Sequence, residues 1–301
     1  MGRKEKPLRI EGEDHNMQRK LHPLEGIVAI CALLFVLFVS VGFAQAQDVR
    51  KIALRSSSAL VQDAGTGEVV IGKNADAVVS IASITKLMTA MVILDHGLDL
   101  DEEIVLGRED AVRMKGSRSR LRTGLSLTRG DLLLLALMAS DNRAAAALGR
   151  SYPGGIEEFV DAMNAKAAQL EMEETRFVEP TGLSPANVST ASDLAKLVRA
   201  AHEYPLIREY STRSRATVRA SGRPLSYGNT NNLVRSKYWD IELSKTGYIS
   251  EAGRCLVMQV RLAEKDLIVV LLDSWGKHSR IGDANRIRKW LESGAASGRS
   301  S

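Results

Sequence analysis

Two apolar runs near the end of the chain, Cys255-Leu256-Val257-Met258-Gln259-Val260 and Leu267-Ile268-Val269-Val270-Leu271-Leu272, flank a polar segment at 263–266. Their β-branched content and the polar break between them predict an antiparallel hairpin. A second hairpin is predicted near the other end. There Ala59-Leu60-Val61-Gln62-Asp63 and Glu68-Val69-Val70-Ile71 surround the Gly-rich turn Ala64-Gly65-Thr66-Gly67.

Between the hairpins the apolar spacing changes to that of helices. Leu87, Met88, Met91 and Leu94 mark one face, and Ile156, Phe159, Val160, Met163 and Ala167 mark another. Thr128 with Asp131, and Thr190 with Asp193, have the spacing of capping boxes at helix starts. Segment 244–249 reads as a further strand. Ile281, Ala284, Ile287 and Leu291 read as a closing amphipathic helix. The expected fold class is therefore α/β: an antiparallel sheet from both chain ends, flanked by helices, with an inserted helical lobe.

The two termini read differently. Arg19 and Lys20 precede an apolar run at 27–43 that ends in Ala44-Gln45-Ala46, a small-x-small cleavage pattern. Residues 1–46 are expected to be a cleaved signal peptide with a polar extension, and either Met1 or Met17 could be the start. Residues 47–292 are the expected domain, and 293–301, without large apolar residues, the expected disordered tail. Loss of the leader leaves Cys255 as the one cysteine, so an exported domain has no disulfide framework and depends on its core. Composition, with 45% apolar and 26% charged residues and a net charge of +5, is that of an ordinary globular protein. No basic stripe interleaved with aromatics points to nucleic acid.

Three short strings carry chemistry: Ser83-Ile84-Thr85-Lys86, Ser140-Asp141-Asn142 and Lys245-Thr246-Gly247. Ser83 and Lys86, three apart at a helix start, share a face, and the helix N-terminus directs N–H groups at a developing oxyanion. Ser140-Asp141-Asn142 follows a run of leucines. It reads either as a capped loop or as a pair, Ser140 and Asn142, projecting into a cleft while Asp141 points away. Lys245-Thr246-Gly247 reads either as a turn or as a sheet edge, where Gly247 admits a substrate backbone, Lys245 places charge beside Ser140, and Thr246 offers a hydroxyl to a carboxylate. Together the strings supply a nucleophilic hydroxyl, two amines, a second hydroxyl and an amide, the parts of acyl transfer through a serine ester. The base must be neutral near pH 7, so Lys86 is expected to be depressed by desolvation and by repulsion from Lys245. His15, His22, His96, His202 and His278 form no competing triad or metal-ligand spacing; no metal and no cofactor are expected.

These strings sit in longer stretches, including Arg176-Phe177-Val178-Glu179-Pro180-Thr181-Gly182-Leu183, Asn229-Thr230-Asn231 and Lys245-Thr246-Gly247-Tyr248-Ile249-Ser250-Glu251-Ala252-Gly253. Over residues 55–292 the chain resembles the low-molecular-mass penicillin-binding proteins of the D-alanyl-D-alanine carboxypeptidase family. Within it the chain is most similar to the D-alanyl-D-alanine endopeptidases of the penicillin-binding protein 7 type. The resemblance implies a β-lactamase/transpeptidase-like fold and a periplasmic serine D,D-peptidase acting on peptidoglycan stem peptides and inhibited by β-lactams. It implies Ser83 as nucleophile, Lys86 as base, and Ser140 beside it. Asn142, Lys245, Thr246 and Gly247 would bind substrate, and the N–H groups of Ser83 and Tyr248 would form the oxyanion hole. Neither an extra C-terminal β domain nor an anchoring helix follows Leu291. That favours an endopeptidase cleaving D-alanyl cross-links, with no stable C-terminal membrane anchor, and leaves room for complexes with wall-synthesis enzymes or hydrolases. The rivals are a D,D-carboxypeptidase, a β-lactamase, for which the Glu179 loop lacks the Glu-x-x-x-Asn spacing, and a non-catalytic wall-binding module.

Overall fold

The computed structural model describes Gly2, residues 52–111 and residues 119–297. The expected signal peptide at 1–46 lies outside the described residues. In chain order the strands are β1 (Ser56–Asp63), β2 (Val69–Lys73), β3 (Val79–Ser80), β4 (Glu103–Val105), β5 (Ser126–Thr128), β6 (Val188–Ser189), β7 (Arg215–Ala220), β8 (Arg223–Gly228), β9 (Asp240–Ile249), β10 (Gly253–Leu262) and β11 (Lys265–Ser274). The α-helices are α1 (Lys86–Asp95), α2 (Arg129–Met138), α3 (Asn142–Arg150), α4 (Gly155–Gln169), α5 (Ala191–His202), α6 (Pro205–Thr212) and α7 (Ser279–Ser297).

Both expected hairpins form and join. The main sheet has five strands in the order β2-β1-β11-β10-β9, every pair antiparallel. Val61 pairs with Val269 and Leu60 with Val270, so the two chain ends meet in the middle of the sheet. All residues from Leu267 to Leu272 are fully buried. A strand covered on both faces needs no polar alternation, which is why this run is continuously apolar. Ile268, Val270 and Leu272 join the core shared with α5, whereas Val269 and Leu271 are buried outside that core, on the other face. Helices α5 and α7 both pack on β1, β10 and β11.

The helical lobe, α1 to α4, lies in sequence between β3 and β6. Thr128 Oγ1 accepts the Asp131 N–H at 3.1 Å and Thr190 Oγ1 accepts the Asp193 N–H at 3.0 Å, so both expected caps are present. Strand β9 begins at Asp240, earlier than the sequence suggested, and stands at one edge of the sheet. Its neighbours beyond that edge include α6 and the short 3₁₀ turn Ala82–Thr85.

Helix α7 runs to Ser297. Residues 298–301 lie outside the described residues.

Candidate active site

The nucleophile turn differs from the expected first turn of an α-helix. Ser83 lies in the 3₁₀ turn Ala82–Thr85, and α1 starts only at Lys86. In a 3₁₀ turn side chains three apart eclipse, which brings Ser83 and Lys86 together more directly than α-helical spacing does. Lys86 Nζ is 2.9 Å from Ser83 Oγ. The residue before the nucleophile, Ala82, has φ +48°. A non-glycine residue in the left-handed region costs on the order of 1–3 kcal/mol, and such strain gathers at functional sites.

Lys86 is fully buried. Its amine also donates to Asn142 Oδ1 at 2.7 Å and to the Thr181 carbonyl. Desolvation pushes its pKa down to about 7, against the charges of Glu179 and Asp141, which act in the opposite direction. Burial, one of the two expected causes, is the main one. Burial first, then Lys86 and Arg280, holds Lys245 well below the ordinary lysine range. The expected positive charge on Lys245 is correspondingly disfavoured.

The second string sits where α2 gives way to α3. Ser140 has φ +55°, a second left-handed non-glycine residue beside the same cleft. Asp141 caps α3, its carboxylate accepting the N–H groups of Arg143 at 2.9 Å and Ala144 at 3.1 Å. That role turns Asp141 from the cleft while Asn142 reaches Lys86. Lys245 Nζ donates to Ser140 Oγ at 2.8 Å, linking the sheet edge to the helical lobe.

Gly247 explains the close approach of β9. A Cβ there would lie 3.1 Å from Ser83 N and 3.0 Å from the Ile81 carbonyl, tighter than ordinary contact, so a side chain would push the strand edge back from the nucleophile turn by a few tenths of an ångström. Gly247 is thereby held against the backbone of Ile81 and Ser83. The Tyr248 side chain is 56% exposed, so its ring faces outward. Thr246 Oγ1 donates to Thr230 Oγ1 at 2.7 Å. Ser83, Lys86 and Asn142 touch directly, as do Ser140 and Lys245, and Gly247 stands against the nucleophile turn.

Three contributors were not singled out. Thr181 meets the lysine through its carbonyl, and since every residue has a carbonyl the sequence carries no sign of it. The Glu179 carboxylate holds that loop by accepting from the N–H groups of Thr181 at 2.7 Å and Gly182 at 2.6 Å. Arg280, from α7, donates to the carbonyls of Gly247 at 2.8 Å and Cys255 at 3.1 Å, bracing the strand edge from behind. Cys255 itself is buried, its thiol pushed up to about 11 by desolvation, the state of an unreactive core cysteine.

The comparisons agree with this geometry. The family described as D-alanyl-D-alanine carboxypeptidase matches residues 44–276. The chain is 51% identical over 243 residues to a D-alanyl-D-alanine endopeptidase of Pseudomonas aeruginosa, covering 80% of this chain and 78% of that one. It is 48% identical, with the same coverage, to a D-alanyl-D-alanine endopeptidase of Escherichia coli. Among solved structures it superposes on the Streptomyces K15 DD-transpeptidase with TM-score 0.74 and 28% identity, covering 80% of this chain and 98% of that chain. A buried serine–lysine pair braced by a sheet edge, in a chain matched by these relatives, belongs to the D-alanyl-D-alanine carboxypeptidase family of peptidases.

Proposed function

We propose that this protein is a penicillin-sensitive serine D,D-endopeptidase that cleaves D-alanyl cross-links between peptidoglycan stem peptides. The observation that carries the reading is the buried Lys86 amine 2.9 Å from Ser83 Oγ, with a pKa lowered to about 7. A neutral amine at that distance can take the hydroxyl proton as Oγ attacks the carbonyl carbon of the D-alanyl residue. The oxyanion then forms against the N–H groups of Ser83 and Tyr248, where loss of one donor costs about 10²–10³ in turnover. When the C–N bond breaks, the proton that Lys86 took from Ser83 passes through Ser140, held by Lys245 at 2.8 Å, to the departing nitrogen, and Lys86 is neutral again. Water then attacks the serine ester, giving its proton to Lys86, which passes it to Ser83 Oγ as the acyl C–O bond breaks, so that serine and amine return to their starting states. Asn142 orients Lys86, Thr246 faces a substrate carboxylate, and Gly247 gives the substrate backbone its place on the strand edge.

The endopeptidase reading is favoured over the carboxypeptidase one by the two relatives at 51% and 48% identity, both D-alanyl-D-alanine endopeptidases. Export to the periplasm rests on the apolar run 27–43 and the Ala44-Gln45-Ala46 site. Among the described residues no helix is long and apolar enough to cross a membrane. Complexes with wall-synthesis enzymes or hydrolases belong to the same proposal.

Mass spectrometry after penicillin treatment should find a penicilloyl adduct on Ser83, and purified cross-linked muropeptides should be converted to monomers. Release of terminal D-alanine with cross-links intact would favour the carboxypeptidase. Absence of the adduct would restore the binding-module reading.

A further inference from the structure

Beside the serine–lysine pair lies a cavity of about 250 Å³ walled by Ser119, Arg120, Ser140, Asn142, Tyr227 and Gly228, together with Ala139 and Asp141. Ser140 is common to this cavity and to the proton path, so the cavity opens on the side from which the leaving nitrogen departs. Of its wall residues, Arg120 and Tyr227 bring polar groups that have no part in the chemistry described so far.

Tyr227 is 7% exposed, and its buried hydroxyl has no acceptor for its proton among the described residues, its one polar neighbour there being the donor Arg120. A buried polar group left unsatisfied is uncommon and calls for a ligand or another explanation. The Arg120 guanidinium lies over the Tyr227 ring, 3.8 Å from its centroid, and donates to the Ser226 carbonyl. It makes no ion pair among the described residues. The nearby Asp141 carboxylate is already engaged by the start of α3 and by Ser119 Oγ at 2.7 Å. Segment 119–121 is tied down on both sides, since Arg143 Nη1 also donates to the Leu121 carbonyl at 2.9 Å. A cation held by a ring and a carbonyl, with donor groups left over, beside a buried hydroxyl whose proton has no acceptor, is a preorganised pair of donors for a carboxylate.

We infer that Arg120 and Tyr227 form a specificity-determining subsite that binds a free carboxylate of the departing stem peptide. This rests on the endopeptidase reading above. A carboxypeptidase expels a single D-alanine, whereas an endopeptidase expels a whole second stem peptide, and a chamber beyond Ser140 suits the larger group. Arg120 supplies the charge-assisted hydrogen bond, and Tyr227 Oη donates the proton for which it has no partner in the free protein.

The test uses the full chain, two cross-linked muropeptide dimers and a fluorescent penicillin. The dimers are identical except that the amine-donating stem carries free carboxylates in one and amidated carboxylates in the other. Wild-type protein should cleave the free-carboxylate dimer about tenfold better in kcat/KM, and Arg120→Gln should abolish that preference. The ratio of dimer cleavage to penicillin acylation should fall by about tenfold in Arg120→Gln and by a smaller factor in Tyr227→Phe. Penicillin has no second stem, so its acylation rate also reports that each variant is folded. A preference for the free carboxylate that survives in Arg120→Gln, or an equal loss of both reactions, would overturn the subsite alone. Wild-type protein that is acylated by penicillin yet cleaves neither dimer would overturn the endopeptidase reading and the subsite with it.

Discussion

Gly182 stands so close to Ala82 that a Cβ at residue 182 would lie 1.9 Å from the Ala82 carbonyl oxygen and 2.8 Å from Ser83 N. Gly182 also has φ +75°, a conformation that side chains other than glycine rarely adopt. The Glu179 loop and the nucleophile turn are therefore fitted to each other through backbone alone. Because neighbouring Thr181 supplies a carbonyl to Lys86, any retreat of this loop also loosens the base.

The first consequence concerns Gly182→Ala. The backbone contact leaves no flexible side-chain end to move aside, so the loop must shift. Penicillin acylation should fall by 10²-fold or so, in line with the cost of misplacing reacting groups by about 1 Å. Stopped-flow acylation kinetics would measure it. A rate within a factor of three of wild type would mean that the loop does not position the pair.

Asn142 gives the second. Its Oδ1 lies 2.7 Å from Lys86 Nζ and carries no formal charge. Asn142→Asp places a carboxylate there, and an opposite charge at that range raises a lysine pKa by about 1–3 units. The acylation-rate profile should keep its shape and move to higher pH by that amount. A profile that stays in place would separate the amide from the titration of the base.

Stability depends on a different group. Asp283, fully buried on α7, accepts from the N–H groups of Arg55 at 3.0 Å and Ser56 at 2.7 Å and from Ser56 Oγ at 2.6 Å. Arg286 pairs with the same carboxylate. Asp283→Ala strands a buried N–H and removes the tie between the first strand and the last helix. It should lower stability by about 2–4 kcal/mol while the penicillin acylation rate of the folded protein is unchanged. Urea unfolding monitored by circular dichroism would give the difference.

The sheet was legible because its central strands are buried on both faces. The run 267–272 could satisfy its apolar side chains only inside a layered fold. The three strings were legible for another reason: each contributes a chemically distinctive side chain at short spacing. Thr181 escaped notice because its contribution is a carbonyl. Arg120 and Tyr227 escaped because their meeting depends on a contact spanning 106 residues, recorded in the bond from Arg120 to the Ser226 carbonyl. The cause of the Lys86 shift was half visible. Burial was expected and is the largest cause, but the opposing charges of Glu179 and Asp141 come from positions the three strings do not reveal as neighbours.

The central claim is that Lys86 reaches Ser83 as a free amine at neutral pH. Its pKa of about 7 lies far below the ordinary lysine value of 10.5, so the reactive, deprotonated form accumulates as pH rises through about 7. The most direct measurement is the second-order rate of penicillin acylation of the wild-type protein from pH 5 to pH 10. The rate should climb about tenfold per pH unit at the acid end, bend near pH 7 and then level off. A rate still rising tenfold per unit at pH 9, or one flat throughout, would contradict the account.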